Sequence, residues 1–437
     1  MTQTLSVIGT GYLGATFAAC MSSLGFTVVG IDTDSAKVDQ LSRGTVPFFE
    51  PGLEEIVKTE LASGRLTFTT DFALARNADV HFICVGTPQK EDGLAADLTY
   101  IQSAVAGITP FLKEGSLVVG KSTVPVGTAQ SLREQLALSA PQSDLAWNPE
   151  FTREGFAVED SLRPDRIVVG VTNDRAEKIL REVYAPLLAI GTPWIRADLP
   201  TTELVKMAAN SFLATKISFI NAMAEVCEAA GGDVTVLAQA IGYDARIGSK
   251  FLKAGIGFGG GCIPKDIRAF IARAEELGAT QALEFLRDID AINLRARQRV
   301  IDVVRLELGE DLSTRKIAVL GAAYKPDSDD VRDSPALDIA AQLHAAGAFV
   351  TVHDPKAIAN AKKRFPAMKY AETVEECVAG SDLVLHLTEW REYRELDPAD
   401  LVHLVKTPRI IDGRNALDRD RWVSAGWKCH ALGRANA

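Results

Sequence analysis

Apolar runs that end in glycine alternate with amphipathic stretches along most of the chain. Residues 4–9, TLSVIG, form such a run, followed by an Ala-rich stretch to Gly25 and a second run, FTVVGID. That order predicts a β-α-β unit. DVHFICVGTP, GSLVVGKSTVP, SDLAWNPEF and DRIVVGV continue the pattern, so residues 1–200 are expected to form a parallel, doubly wound α/β domain. From Thr201 the period changes, and TTELVKMAANSFLATKISFINAMAEVCEAA runs without Pro or Gly until Gly231 and Gly232. This predicts one helix about 45 Å long, opening a helical region over 201–312. KIAVLG then restarts the strand pattern, and FVTVHDP, DLVLHLT and PRIIDG alternate with helical stretches such as SPALDIAAQLHAAG. A second doubly wound domain is therefore expected over 313–437, without detectable sequence repetition.

Composition narrows the function. At 437 residues, 47% hydrophobic and 24% charged, the chain is long enough for more than one core. A net charge of -10 argues against nucleic acid as a general partner, and an anionic ligand would need local cations. No segment approaches the ~20 apolar residues of a membrane span, and the start MTQTLSVIGT lacks the basic and long apolar parts of a secretory signal; a cytoplasmic protein is expected. The six cysteines, Cys20, Cys84, Cys227, Cys262, Cys377 and Cys429, are scattered, so free thiols and no metal site are expected.

Gly9-Thr10-Gly11-Tyr12-Leu13-Gly14 joins the first strand to the first helix, where glycines permit a tight turn and let a pyrophosphate reach the helix N-terminus. Asp32 ends the second strand, placed for a ribose diol. Together they predict a dinucleotide site of Rossmann type, and the charge of Asp32 favours NAD over NADP. Val85-Gly86-Thr87-Pro88 and Lys121-Ser122-Thr123-Val124-Pro125 follow later strands; each could be a ligand loop or only a turn.

Cys262 lies in Gly257-Phe258-Gly259-Gly260-Gly261-Cys262-Ile263-Pro264-Lys265-Asp266, just ahead of a helical stretch. A thiol at a helix N-terminus beside Lys265 is expected to have a depressed pKa, which makes it a candidate nucleophile, whereas the other five cysteines read as packing residues. On the long helix Glu203, Lys206, Asn210, Asn221 and Glu225 fall within an arc of about 100°. Such a stripe is either a solvated face or the wall of a cleft. Glu150 and Glu154 would share a face if NPEFTREG were helical. In the last region Lys325 and Arg332 with the Ser334-Pro335 helix start outline an anion site.

The blocks NPEFTREG, ELVKMAANSFLATKISFINA, FLKAGIGFGGGCIPKD and GAAYKPDSDDVRDSP resemble the UDP-glucose 6-dehydrogenase family, within the wider nucleotide-sugar dehydrogenase group, from Gly9 to at least Arg414. Thr152 stands where an apolar residue is usual there, and Gly261 where Ser is common. The resemblance implies two Rossmann-like domains, the first for NAD and the second for the uridine diphosphate, joined by a helical region that makes a homodimer. It implies four-electron oxidation of UDP-glucose to UDP-glucuronate through a Cys262 thiohemiacetal and thioester. In that scheme Lys206 stabilises an oxyanion with Asn210, Asp266 acts as base through a water, and Glu150 serves the hydrolytic water. Thr123 and Glu154 are acid/base or water-orienting groups, and the division among the carboxylates stays open.

For the cofactor the resemblance implies Gly9, Gly11, Tyr12, Leu13, Gly14, Asp32, Lys37, Thr87, Thr123, Glu154, Lys265 and Arg332. For the substrate it implies Phe151, Glu154, Lys206, Asn210, Phe251, Lys253, Gly259, Lys325 and Arg414, with Arg246 reaching across subunits. GDP-mannose and UDP-N-acetylhexosamine remain alternative substrates, although the Glu154-Gly155 ending and FLKAGIGFGG favour the UDP-glucose branch. A dinucleotide-binding sensor without turnover would need no activated thiol.

Overall fold

The computed structural model describes residues 3–434. By its internal contacts the chain divides into two compact units, one running to Ala209 and including Arg268–Gly278, the other comprising Asn210–Ile267 and the chain from Ala279 onward.

The first unit is built on β1 (Thr4–Ile8), β2 (Thr27–Ile31), β3 (Leu66–Thr69), β4 (Val80–Ile83), β5 (Leu117–Gly120), β6 (Asp144–Trp147), β7 (Ile167–Gly170) and β8 (Trp194–Ala197). Their order is β3-β2-β1-β4-β5-β6-β7-β8. β1 is buried along nearly its whole length, as strands covered on both faces must be. All pairings are parallel except β6 with β7, which meet antiparallel at Trp147 and Gly170. That reversal was not legible, because a fully apolar run carries no direction. The strands β3 and β8 also escaped the apolar pattern: β3 alternates Leu66 and Phe68 with threonines, and Ile195 and Arg196 of β8 are exposed.

The second unit holds β9 (Lys316–Leu320), β10 (Phe349–His353), β11 (Lys369–Tyr370), β12 (Leu383–His386), β13 (Arg409–Asp412) and β14 (Lys428–Ala431), in the order β11-β10-β9-β12-β13-β14. Its order and parallel pairings repeat the plan of the first six strands of the other unit. Val300, Val304 and Leu308, one turn apart on the helix Phe285–Leu308, pack into the core of this sheet.

The long helix spans Leu199–Ala230, beginning ahead of Thr201 because Asp198 accepts from Thr201 N at 2.7 Å and so caps it. Its polar stripe is not a solvated face: Glu203, Asn210 and Asn221 are buried. Among the described residues no helix is long and apolar enough to cross a membrane.

Candidate active site

In the first unit β1 is followed by Gly9, whose φ of 88° no L side chain adopts readily. A Cβ on Gly14 would lie 1.8 Å from Gly9 O, so the helix Tyr12–Ser23 can start close to the strand only because both are glycine. At Gly11 a Cβ would meet nothing within 4 Å. That open backbone at a helix N-terminus is the cradle a pyrophosphate needs. Asp32 accepts from Thr10 N at 2.7 Å, Asp34 N at 3.0 Å and Lys37 Nζ at 2.9 Å. Burial works to raise its carboxyl, but the bonds from Asp34, Lys37 and Thr10 outweigh it and hold the group below the usual carboxylate range. The turn and this anion fit a dinucleotide with a free ribose diol.

Two more loops leave the same sheet edge. Gly120 ends β5 opposite Trp147 of β6, and a Cβ on Gly120 would strike the Trp147 ring at 2.1 Å. The loops after them, beginning at Lys121 and Asn148, are therefore side by side. Thr87 Oγ1 donates to Thr123 O at 2.7 Å, tying the VGTP and KSTVP loops together. Glu150 Oε1 accepts from Phe151 N and Thr152 N at 2.8 and 3.0 Å, and Oε2 lies 3.1 Å from Lys121 Nζ. NPEFTREG is a loop rather than a helix, with the next helix starting at Ala157; Glu150 and Glu154 are thus set by loop bonds and not by a shared helix face. The ring of Phe151 carries Arg166 at 4.0 Å and Lys206 at 5.3 Å from its centroid.

Two carboxylates that sequence reading did not place in the site organise these loops. Buried Glu50 accepts from Gly155 N and Ala157 N, each at 2.7 Å, and from the Tyr12 hydroxyl. It joins the dinucleotide turn to the end of NPEFTREG, and its only sequence signal is a carboxylate inside the apolar turn FFEPG. Glu203, one turn before Lys206, accepts from Gly127 N and Ala129 N, each at 2.7 Å, at the start of the helix Thr128–Ser139. Burial pushes the Glu203 carboxyl up to about 7, against the pull of those N–H groups and of Arg273.

In the second unit Cys262 immediately precedes the helix Ile263–Glu276 and is exposed, whereas Cys20, Cys84, Cys227, Cys377 and Cys429 are buried. Asp266, 2% exposed, takes Lys265 Nζ on one oxygen at 2.6 Å and Asn210 Nδ2 on the other at 2.6 Å. The ammonium expected beside the thiol thus pairs with the neighbouring carboxylate. The glycine loop is clamped from behind: Asn293 accepts from Phe258 N at 2.7 Å and donates to Phe258 O at 3.0 Å. Cβ atoms on Gly259 and Gly260 would strike Asp333 O and the Tyr324 ring, so this loop lies directly on the one that follows β9.

Arg332 pairs with Asp330 at 2.7 Å, and Lys325 sits 5.4 Å from the Tyr324 ring centroid. Arg414 donates to Leu387 O at 2.7 Å, Tyr324 O at 3.1 Å and Gly257 O at 3.3 Å; its guanidinium braces these loops. Ser334 caps the helix Pro335–Ala345 and donates to Ala322 O at 2.7 Å. Phe251, Lys253 and Arg246 are exposed, Phe251 with a φ of 64° and Arg246 in an ion pair with Asp244 at 2.5 Å.

Three family models cover the chain, all of the UDP-glucose/GDP-mannose dehydrogenase family: its NAD binding domain at residues 3–188, its central domain at 200–295 and its UDP binding domain at 318–419. A UDP-glucose 6-dehydrogenase of Rhizobium meliloti (strain 1021) is 41% identical over 435 residues, 98% of this chain and 99% of the relative. The chain belongs to the UDP-glucose/GDP-mannose dehydrogenase family. It is an NAD-dependent oxidoreductase of that family.

Among solved structures, a UDP-glucose dehydrogenase from the archaeon Pyrobaculum islandicum superposes with a TM-score of 0.91 at 35% identity, covering 100% of this chain and 98% of that one. UDP-D-ManNAc dehydrogenase from Pyrococcus horikoshii gives 0.87 at 25% identity, covering 99% of this chain and 100% of that one. The Gly9–Gly14 turn and Asp32 fall in the family's NAD binding domain, and Lys325, Arg332 and Arg414 in its UDP binding domain. At Gly261 a Cβ would meet only the guanidinium end of the largely exposed Arg332 side chain, which can move aside, so the structure does not demand glycine there. Nothing in the structure explains Thr152.

Proposed function

We propose that this dehydrogenase oxidises UDP-glucose to UDP-glucuronate in two successive oxidations, with Cys262 as the covalent carrier. The observation that carries the covalent step is Cys262 itself, an exposed cysteine in a chain whose other cysteines are buried, placed where a helix begins beside a carboxylate held by Asn210 and Lys265. NAD, held by the Gly9–Gly14 turn and Asp32, supplies the hydride acceptor for both oxidations. In the first, the C6 hydroxyl proton leaves through a water to Asp266 while Lys206 and Asn210 steady the developing oxyanion. The Cys262 thiolate adds to the aldehyde carbon to give a thiohemiacetal, whose oxidation leaves a thioester. Water then attacks the acyl carbon, Glu150 takes its proton, the C–S bond breaks and the thiolate returns to Cys262. Glu154 and Thr123 orient that water, and Lys325, Arg332, Lys253 and Arg414 serve the nucleotide end.

We place the protein in the cytosol as a homodimer. The long helix leaves Phe212, Phe219 and Val226 exposed at 66%, 46% and 56%, one heptad apart on one face, which suits a second copy of the helical region.

The test is NADH yield on a panel of nucleotide sugars. Two NADH and one UDP-glucuronate per UDP-glucose are expected, and turnover of a GDP-hexose or UDP-N-acetylhexosamine in its place would overturn the substrate. Cys262→Ala is expected to lower overall turnover by orders of magnitude while UDP-glucose and NAD still bind. Near-normal acid production by the folded variant would eliminate the thioester route, whereas a packing role for Cys262 predicts only modest destabilisation.

A further inference from the structure

A lysine is seldom buried without a partner, and Lys121 is 4% exposed. Its ammonium lies 3.1 Å from Glu150 Oε2, 3.0 Å from Asn148 Oδ1 and 4.5 Å from the centroid of the Phe17 ring. Asn148 is itself fixed, donating to Val168 O at 2.8 Å and accepting from the Tyr184 hydroxyl at 2.5 Å. The β5–β6 register, Gly120 opposite Trp147, sets the two loops side by side. Glu150 thus has one oxygen on two backbone N–H groups and the other on a cation that the sheet holds in place.

We propose that Lys121 is a positioning residue for the hydrolytic half of the reaction, holding Glu150 as an oriented anion ready to take the proton of the attacking water. This rests on the reading of Glu150 as the hydrolytic base. When water adds to the thioester and the thiolate leaves, the water's proton moves to Glu150, and Lys121 neither gives nor takes one.

The groups facing Lys121 come from four elements. Phe17 lies on the helix Tyr12–Ser23, Cys84 follows β4, Tyr184 ends the helix Asp174–Val183, and Asn148 and Glu150 follow β6. Burial pushes the Cys84 thiol and the Tyr184 hydroxyl each up to about 12, so both are neutral at working pH. Burial alone would also pull Lys121 toward neutrality, but the Glu150 carboxylate outweighs it and holds the ammonium above the usual lysine range. The two backbone N–H groups and the Lys121 ammonium fix both oxygens of Glu150, so the geometry aims the carboxylate.

The test follows kcat with pH at saturating UDP-glucose and NAD for Lys121→Met, Lys121→Arg and Glu150→Gln. Lys121→Met is expected to move the acid limb of kcat upward by about one to three pH units, the effect of losing an opposite charge within hydrogen-bond reach. It should leave KM for both substrates within about twofold and accumulate an acyl adduct on Cys262, visible in intact mass. Lys121→Arg, which keeps the charge, should return the limb toward wild type and abolish the adduct. An unmoved limb with no adduct in folded Lys121→Met, while Glu150→Gln is inactive, would overturn the role of Lys121 alone. If Lys121→Met does not fold, Lys121→Gln takes its place, and an unmoved acid limb with no acyl adduct in that variant, while Glu150→Gln is inactive, would overturn the proposal. Normal acid production by Glu150→Gln would instead overturn the assignment of Glu150.

Discussion

Gly9 after β1 and Gly321 after β9 both have positive φ, 88° and 119°, and each donates its N–H at 2.8 Å to the last carbonyl of the next strand, Ile31 O and His353 O. The N–H that follows, of Thr10 or Ala322, donates at 2.7 Å to a carboxylate just past that strand, Asp32 or Asp354. Beyond this point the turns part. The first helix starts at Tyr12, directly after the turn, whereas the second waits until Pro335 and leaves a long loop carrying Tyr324, Lys325, Arg332 and Asp333. Asp354 is also consumed: it accepts from Ala322 N, Ala323 N, Lys356 N, Ala357 N and Trp390 Nε1. The same local solution therefore leaves a helix N-terminus open at the first sheet and is filled by the protein's own donors at the second. Where the helix N-terminus meets the turn, backbone N–H groups face a ligand; where a loop intervenes, side chains must do that work.

The largest expected effect tests this division. Asp354→Ala leaves several buried donors without an acceptor and should cost at least about 3 kcal/mol, lowering the melting temperature by roughly 6–12 °C. KM for NAD in the folded fraction should not change. Asp32→Ala should do the reverse, raising KM for NAD about a hundredfold and relaxing discrimination against NADP, with a smaller loss of stability. Calorimetry and NAD titration of both variants decide the matter: equal losses of stability and equal NAD affinities would erase the distinction between the turns.

Much of this was legible in the chain, for reasons that particular residues show. The turn Gly9–Gly14 and Asp32 are encoded locally, because φ and close approach demand glycine and the register of a β-α-β unit places the acid. Cys262 stood out among the cysteines because glycines and a helix start surround it within a few positions, and its exposure agrees. Glu50 and Lys121 were not read as site residues, since their partners, such as Gly155 and Glu150, are near only after the sheet forms. The stripe on the long helix was ambiguous for the same reason: period alone cannot say what covers a face. The C-terminal cations were visible, yet the brace made by Arg414 depends on three carbonyls from separate loops.

The two units also differ in the carboxylates that anchor their loops, and pH should separate them. Glu203, raised to about 7 by burial, binds a proton in the folded state that the unfolded chain has released. Its contribution is therefore complete below the unfolded glutamate pKa and lost as pH rises to about 7. Asp412 in the second unit is the opposite case. Burial would raise it, but His386 at 2.9 Å and the N–H groups of Leu417 and Arg414 hold it below the usual range, so its contribution is lost as pH falls. Glu203→Gln, which can still satisfy one of the two N–H donors, should flatten the fall in stability between about pH 4.5 and 7 by on the order of 2 kcal/mol. Denaturant melts at pH 5 and 7 measure it, and an unchanged difference between the two would remove Glu203 as the titrating joint.

The smallest effect concerns the loop that sets the second turn apart. Lys325 is half-buried against Tyr324 and follows a turn whose own carboxylate is occupied by backbone donors. If that loop serves the nucleotide sugar, the charge of Lys325 acts on the diphosphate equally in ground and transition states. Lys325→Met should then raise KM for UDP-glucose roughly fivefold to tenfold, about 1 kcal/mol, with kcat nearly unchanged. KM for NAD should not move, because the dinucleotide turn belongs to the other sheet. Added salt should narrow the gap between wild type and variant, as screening weakens a charge contact that remains partly exposed. Steady-state kinetics with each substrate varied at two ionic strengths separate these outcomes. A rise in KM for NAD equal to that for UDP-glucose would show that the loop after β9 does not discriminate between the two ligands, and the contrast between the turns would lose its functional meaning.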